Sequence, residues 1–201
     1  RRQRQMCIRD SANTLPGLVV EKINPGFLNS KLSKLPKGVI VVTGTNGKTT
    51  TTKLISEMLK GQGLRVLTNQ TGGNFVRGIV SLVIDKSTLT NKLNYDIAVL
   101  ELDEAHGVLF TKRVKPNGVV ALNILRDQMD RFGEIDQTAE FVKKIALSAK
   151  DFVVLNTNDL RIASTANEIK NKKVYFYGYD KSLKHLFVGD LSLIHISEPT
   201  R

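Results

Sequence analysis

The stretch from Gly38 to Lys60, GVIVVTGTNGKTTTTKLISEMLK, decides how this chain is read. It opens on β-branched residues, Gly38–Thr43, with no polar alternation, the pattern of a strand buried on both faces. It closes on a helix-length segment from about Lys48 to Leu59. Between them lies Gly44-Thr45-Asn46-Gly47-Lys48-Thr49-Thr50. Glycines at both ends of this turn let the backbone fold back tightly, so that successive N–H groups point inward and cradle phosphate oxygens. The following helix adds about half a positive charge at its N-terminus. Lys48 is placed to reach the β- and γ-phosphates of a nucleoside triphosphate, and Thr49 to offer a hydroxyl to Mg²⁺. The common form of such a loop has a glycine at the position of Val42, so this is a shortened G-x-x-G-K-T variant.

The same alternation continues outward. Strand-like runs at Arg65–Thr68, Asp96–Leu102, Gly118–Ile124, Phe152–Leu155 and Val174–Tyr177 are separated by helical patterns at about Phe75–Ile84, Thr138–Ser148 and Leu160–Glu168. Continuous apolar strands separated by helices predict an α/β fold of the P-loop type, a mostly parallel sheet with helices on both faces. Right-handed crossovers then bring all strand C-terminal ends to one edge, where ligands bind. Residues 12–37 are punctuated by Leu15-Pro16-Gly17, Asn24-Pro25-Gly26 and Leu35-Pro36-Lys37-Gly38, and read as a lead-in of two short helical stretches packing beside the sheet. The ATP-binding unit is expected over residues 38–190, and no internal repeat or low-complexity tract interrupts it.

The two ends are read differently. RRQRQMCIRD at the N-terminus and LSLIHISEPTR at the C-terminus both back-translate to transposon-end adapters used in sequencing libraries, which marks residues 1–11 and 191–201 as adapter-derived and residue 190 as a break in the natural sequence. The first ten residues carry four Arg and one Asp, and the last eleven one Glu and one Arg, so +8 of the net charge of +11 belongs to residues 12–190. That basic interior suits a polyanionic ligand or an anionic surface. It does not read as nucleic-acid binding, because the lysines are scattered without aromatic interleaving. At 201 residues and 41% hydrophobic side chains, the chain can bury a core and is not disordered. Its apolar runs are far short of the roughly 20 residues of a membrane-spanning helix. The lone cysteine, Cys7, excludes a disulfide framework or a multi-cysteine zinc site within these residues.

The loop Gly44-Thr-Asn-Gly-Lys-Thr49 resembles that of the Mur ligase family, whose ATPase domain carries G-T-N-G-K-[ST]. The resemblance covers essentially residues 15–190. It sharpens at Arg126-Asp-Gln-Met-Asp-Arg-Phe-Gly-Glu-Ile-Asp136, which is similar to the MurT type, the synthetase subunit of lipid II isoglutaminyl synthase. Mur ligases activate a carboxylate with ATP as an acyl phosphate that a nitrogen nucleophile attacks. The resemblance implies ATP and Mg²⁺ as cofactors. It implies Gly44, Thr45, Asn46, Gly47, Lys48, Thr49 and Thr50 as the phosphate cradle, with Lys48 catalytic. Glu101, at the end of a strand on the loop's edge, takes the position of a family glutamate that joins Thr49 in holding Mg²⁺. Asp103 and Glu104 follow; either caps the next helix or adds to the metal site.

Further positions carry two readings each. Asn74, in Thr71-Gly-Gly-Asn74, matches a family asparagine near nucleotide and acceptor, or caps a helix starting at Phe75. Asn123, ending another strand, is similarly placed. Asn156-Thr-Asn-Asp159 resembles the family's Asn-Ala-Asp-Asp turn, which puts Asn156 and Asp159 in the nucleotide pocket; plain helix capping is the other reading. Asp127 or Asp130 would help order Mg²⁺-bound water and Arg131 would steady a transferring phosphate, unless this acidic loop is simply solvated. His106 and His185 read as ordinary polar positions.

Two departures bear on the subtype. The amino-acid-adding Mur ligases read Asp-His-x-Asp where this chain has Gln128, a poorer metal ligand than histidine. Aligning the family's downstream aromatic on Phe141 puts Ile145 where those enzymes place a carbamylated lysine, although Lys143 and Lys144 lie nearby. Both departures agree with the MurT type. That type implies amidation of the D-isoglutamate α-carboxylate of lipid II to D-isoglutamine, in peptidoglycan biosynthesis. Ammonia would come from a GatD-type glutamine amidotransferase. It also implies a cytoplasmic protein working at the inner face of the membrane, and a zinc ribbon with Zn²⁺ only in sequence beyond residue 190. An amino-acid-adding Mur ligase, a folylpolyglutamate synthase and, outside the enzymes, a nucleotide-gated binding module are the alternatives.

Overall fold

The computed structural model describes residues 20, 23–69, 75–88, 92–125 and 134–179. In chain order these form α1 (Phe27–Leu32), β1 (Val39–Thr43), α2 (Lys48–Gly61), β2 (Val66–Thr68) and α3 (Val76–Asp85), then β3 (Ile97–Glu101), α4 (Glu104–Arg113) and β4 (Gly118–Ala121). They continue with α5 (Glu134–Leu147), β5 (Phe152–Asn156), α6 (Leu160–Ser164), a 3₁₀ turn (Thr165–Glu168) and β6 (Lys173–Tyr177). The strands make one sheet in the order β2-β3-β1-β4-β5-β6, and every pairing is parallel. The α/β fold with a parallel sheet read from the sequence is the fold observed.

Chain direction explains how the helices are shared between the faces. Only β1 to β2 runs toward one end of the sheet; each later connection runs the other way. Because crossovers keep one hand, the helix of that first step must lie on the opposite face from the others. Accordingly, Ile55 and Leu59 of α2 pack with Val42, Val99 and Val120 on one face. Phe110 of α4, Ile79 and Val83 of α3, Val142 and Ile145 of α5 and Ile162 of α6 pack with Val41, Leu100, Val119 and Val153 on the other. Alternate residues of β1 enter the two clusters, as a strand buried on both sides requires. The lead-in belongs to the larger cluster, through Leu28, Leu32 and Leu35.

The chain changes direction across the sheet at β1, so the C-terminal ends of β1, β3 and β4 flank the switch point where open α/β sheets bind ligands. Several boundaries differ from the sequence reading for local reasons. The strand expected to reach Ile124 stops at Ala121, because residues 122–125 turn to bond the loop after β1. The helix α4 was foreshadowed only by its capping acids. Its Gly107 has no side chain to mark a face, and that bare spot receives Ile145 of α5. Helix α3 begins at Val76 with Phe75 in extended backbone at its N-cap. Among the described residues no helix is long and apolar enough to cross a membrane.

Candidate functional site

The loop of residues 44–47 sits between the end of β1 and the first turn of α2. Gly44 has φ +130°, and a Cβ there would come 2.9 Å from the backbone N and O of Asn123. Gly47 has φ +88° and is the N-cap of α2, so no side chain caps this 14-residue helix. The amides of its first turn are left for a ligand, with the helix dipole behind them. Thr49 and Thr50, on that turn, are exposed, while Lys48 is half-buried. The Lys48 ammonium folds back to donate to the carbonyls of Gly44, at 2.6 Å, and Thr45, at 3.0 Å. It therefore stands at the loop's mouth.

What holds the loop in shape is residue 123, which the sequence marked only by its place at a strand end. The Asn123 side chain accepts from Asn46 N–H at 2.9 Å and donates to the Asn46 carbonyl at 3.0 Å. Its backbone carbonyl accepts from Thr45 N–H at 2.8 Å, and the Thr45 hydroxyl accepts from Leu125 N–H at 3.1 Å. Residues 122–125 thus run along the loop as a rail. Asn156 donates to the Leu122 carbonyl at 2.6 Å, and an Asp159 oxygen accepts from Ile124 N–H at 2.7 Å. The other Asp159 oxygen accepts from Arg161 N–H and caps α6. Tyr177, missed by the sequence reading, donates from its hydroxyl to the Leu122 carbonyl at 3.2 Å. Burial, helped by Asp159, pushes the Tyr177 hydroxyl up to about 12. Asn156 and Asp159, expected in a nucleotide pocket, hold the rail through main-chain bonds.

Glu101 ends β3 directly beside β1, in register with Val42. It is only 4% exposed, and its Oε2 has no hydrogen-bond partner. A buried carboxylate oxygen without a donor calls for a cation. With the loop alongside and the Thr49 hydroxyl free on the first turn of α2, the residues present fit a Mg²⁺–triphosphate: oxygen donors for the metal, amides and Lys48 for the phosphates. Among the described residues no group of three or more His, Cys, Asp or Glu side chains forms a metal cluster by itself, and a Mg²⁺ bound through one carboxylate, one hydroxyl, phosphates and water needs none.

Asp103 is the N-cap of α4 and makes no side-chain cap bond. Burial, and then a hydrogen bond with Asp103, raises the Glu104 carboxyl, against the field of Lys48. His106, on the same turn, lies edge-on to Phe75 with ring centroids 4.5 Å apart, and serves as a packing group. Ile145 is fully buried in the larger core cluster, Lys143 pairs with Glu168 at 2.5 Å, and Lys144 lies 3.9 Å from Glu140. Asn74, Asp127, Gln128, Asp130, Arg131 and His185 lie outside the described residues.

The family model described as Mur ligase middle domain matches residues 42–195. The chain belongs to the Mur ligase family. This Mur ligase chain is similar to the lipid II isoglutaminyl synthase (glutamine-hydrolyzing) subunit MurT of Staphylococcus aureus (strain COL), 35% identical over 173 residues, which are 84% of this chain and 38% of that protein. The MurT subunit of Streptococcus pneumoniae (strain ATCC BAA-255 / R6) is 43% identical over 131 residues, 65% of this chain and 28% of that protein. Among solved structures, the MurF ligase from Thermotoga maritima in complex with ADP superposes with a TM-score of 0.61 at 23% identity, over 74% of this chain and 34% of that one. The chain therefore spans well under half the length of the curated relatives it matches.

Proposed function

We propose that this chain is the ATP-binding portion of a MurT-type subunit of lipid II isoglutaminyl synthase, residues 38–190 being the Mur ligase central domain and both ends adapter-derived. The observation that carries the nucleotide reading is the uncapped, glycine-hinged helix N-terminus with Lys48 at its mouth and an unpartnered buried carboxylate beside it. Identity of 35–43% to two MurT subunits supports the subtype. So does Ile145, an apolar core residue where the amino-acid-adding ligases need a lysine.

In the reaction proposed, an oxygen of the D-isoglutamate α-carboxylate of lipid II attacks the γ-phosphorus of ATP and ADP leaves. Ammonia from a GatD-type partner then attacks the resulting acyl phosphate, loses a proton, and expels inorganic phosphate to leave the amide. The uncapped amides of the first turn of α2 and the Lys48 ammonium bind the phosphates and stabilise the charge that shifts onto the leaving ADP. The N–H groups of Thr45 and Asn46, turned to Asn123, hold the loop in shape. Thr49 and Glu101 would hold Mg²⁺, which supplies further neutralisation when bound. Asp127, Asp130 and Arg131 are assigned to the catalytic set, and Asn74, Asn156 and Asp159 to nucleotide binding. Work at the inner face of the membrane follows from the lipid substrate, and a Zn²⁺ ribbon is assigned to sequence beyond residue 190.

The test uses the full-length protein with its glutaminase partner, lipid II, ATP and glutamine, the product being read by mass spectrometry. Amidated lipid II is expected, and Lys48→Ala should lower turnover by a factor on the order of 100 or more. Amino-acid addition in place of amidation, or full turnover by the Lys48 variant, would overturn the proposal.

A further inference from the structure

Asn69 is the least conspicuous residue of the site edge. It follows the last residue of β2, is 1% exposed, and belongs to no motif. Its side chain nevertheless does what a further strand residue would do. Its Oδ1 accepts from the Glu101 backbone N–H at 2.9 Å, and its Nδ2 donates to the Glu101 carbonyl at 2.9 Å. In a parallel sheet the N–H and C=O of one residue point to the same neighbour. On the other side of β3, Leu102 N–H donates to the Val42 carbonyl, so the groups of Glu101 point at β2. But β2 has ended: its last register pair is Thr68 with Val99. The amide of Asn69 continues the ladder while its own backbone leaves the sheet, and the pair it completes belongs to the residue whose carboxylate is buried and unpartnered.

We propose that Asn69 is a positioning residue for the metal: by clamping both main-chain groups of Glu101, it fixes where that carboxylate stands relative to the phosphate loop. The inference rests on the Mg²⁺–ATP reading of the site. Asn69 makes no direct contact with ligand in this scheme. Its removal should therefore weaken the metal-dependent part of nucleotide binding and leave the metal-free part, which the amides of the first turn of α2 and Lys48 supply.

Binding of the non-hydrolysable analogue AMP-PNP to the full-length protein, by calorimetry in Mg²⁺ and in EDTA, separates the two. Loss of an outer-sphere partner of a metal ligand costs about 10- to 100-fold in metal affinity. Asn69→Ala should reduce the enhancement by Mg²⁺ about tenfold or more at unchanged affinity in EDTA, and Asn69→Asp, which turns an acceptor toward the Glu101 carbonyl in place of the donor, should reduce it as well. Glu101→Gln should abolish the enhancement, and adding Asn69→Ala to it should change nothing further, since residues acting through one another are not additive. Full Mg²⁺ enhancement in Asn69→Ala, or equal losses with and without metal, would overturn the proposal. If that variant fails to show a cooperative melt, Asn69→Asp decides alone, and a wild-type enhancement in it overturns the proposal too. A wild-type protein that binds AMP-PNP without any benefit from Mg²⁺ would remove the metal reading itself, and this inference with it. Wild-type enhancement with an unaffected Asn69→Ala removes only the inference.

Discussion

An asparagine side chain carries, on a short stem, the same donor and acceptor as a peptide unit, and among the described residues two asparagines at one sheet edge place both on the main chain of a single partner. Asn69 pairs with the main chain of Glu101 and Asn123 with the main chain of Asn46. The Asn69 bonds are buried and the Asn123 bonds exposed. A hydrogen bond is worth about 0.5–1.5 kcal/mol, and leaving a buried main-chain group, such as either of those of Glu101, unpaired costs about 1–3 kcal/mol. For Asn123, the consequence falls on the loop. Asn123→Ala frees Asn46 and should lower AMP-PNP affinity about tenfold both with and without Mg²⁺, because the cradle must be ordered at the moment of binding. Isothermal titration checks this, and equal affinity in wild type and variant would contradict it. Neither asparagine's task was legible in the sequence. Amide-to-backbone pairing leaves no periodicity, and an asparagine after a strand reads equally as a turn or a cap.

At the scale of elements, α4 and α5 meet where Gly107 has no side chain and Ile145 fills the space. Ile145 is fully buried. Ile145→Ala should destabilise the fold by about 2–5 kcal/mol, read as a lowered midpoint of chemical denaturation. A change under about 0.5 kcal/mol, the size expected of a surface substitution, would contradict that packing. The strands were legible because buried parallel strands are continuous apolar runs, as in Gly38–Thr43 and Phe152–Leu155. The loop was legible because its glycines and lysine stand at fixed spacing between a strand and a helix. Less was visible where elements serve one another. The early end of β4 follows from the bonds of residues 122–125 to the loop, and Asn156 and Asp159 earn their places by bonding that same rail. The motif carried helix capping as one of its two readings, and Asp159 does cap α6, but the bonds of both residues to Leu122 and Ile124 cross between elements and leave no local pattern.

The molecule as a whole has two unlike edges. The C-terminal ends of the strands carry the loop, Glu101 and Lys48. The opposite edge is tied by side chains that precede β2 and β3, where Arg65 donates from its guanidinium to Asp96 at 2.7 Å and from its backbone N–H at 2.8 Å. The side-chain bond to Arg65, then the backbone bond, holds the Asp96 carboxyl at about 2, below its ordinary 3.8. Because the folded value is the depressed one, this pair's contribution is complete above about pH 4 and is lost as pH falls through about 2. Asp96→Asn should therefore narrow its stability gap to wild type over that interval, followed by thermal melts from pH 5 down to pH 2, and leave AMP-PNP affinity unaltered. A gap of constant size across the interval would refute the assignment.

The hydroxyl of Thr45 receives the N–H of Leu125, one residue ahead of Arg126, where the Asp127–Arg131 acids and base begin. The turn after β1 is consequently pinned to the outgoing end of β4, so whatever displaces residues 122–125 reaches residues 44–47 within a single bond.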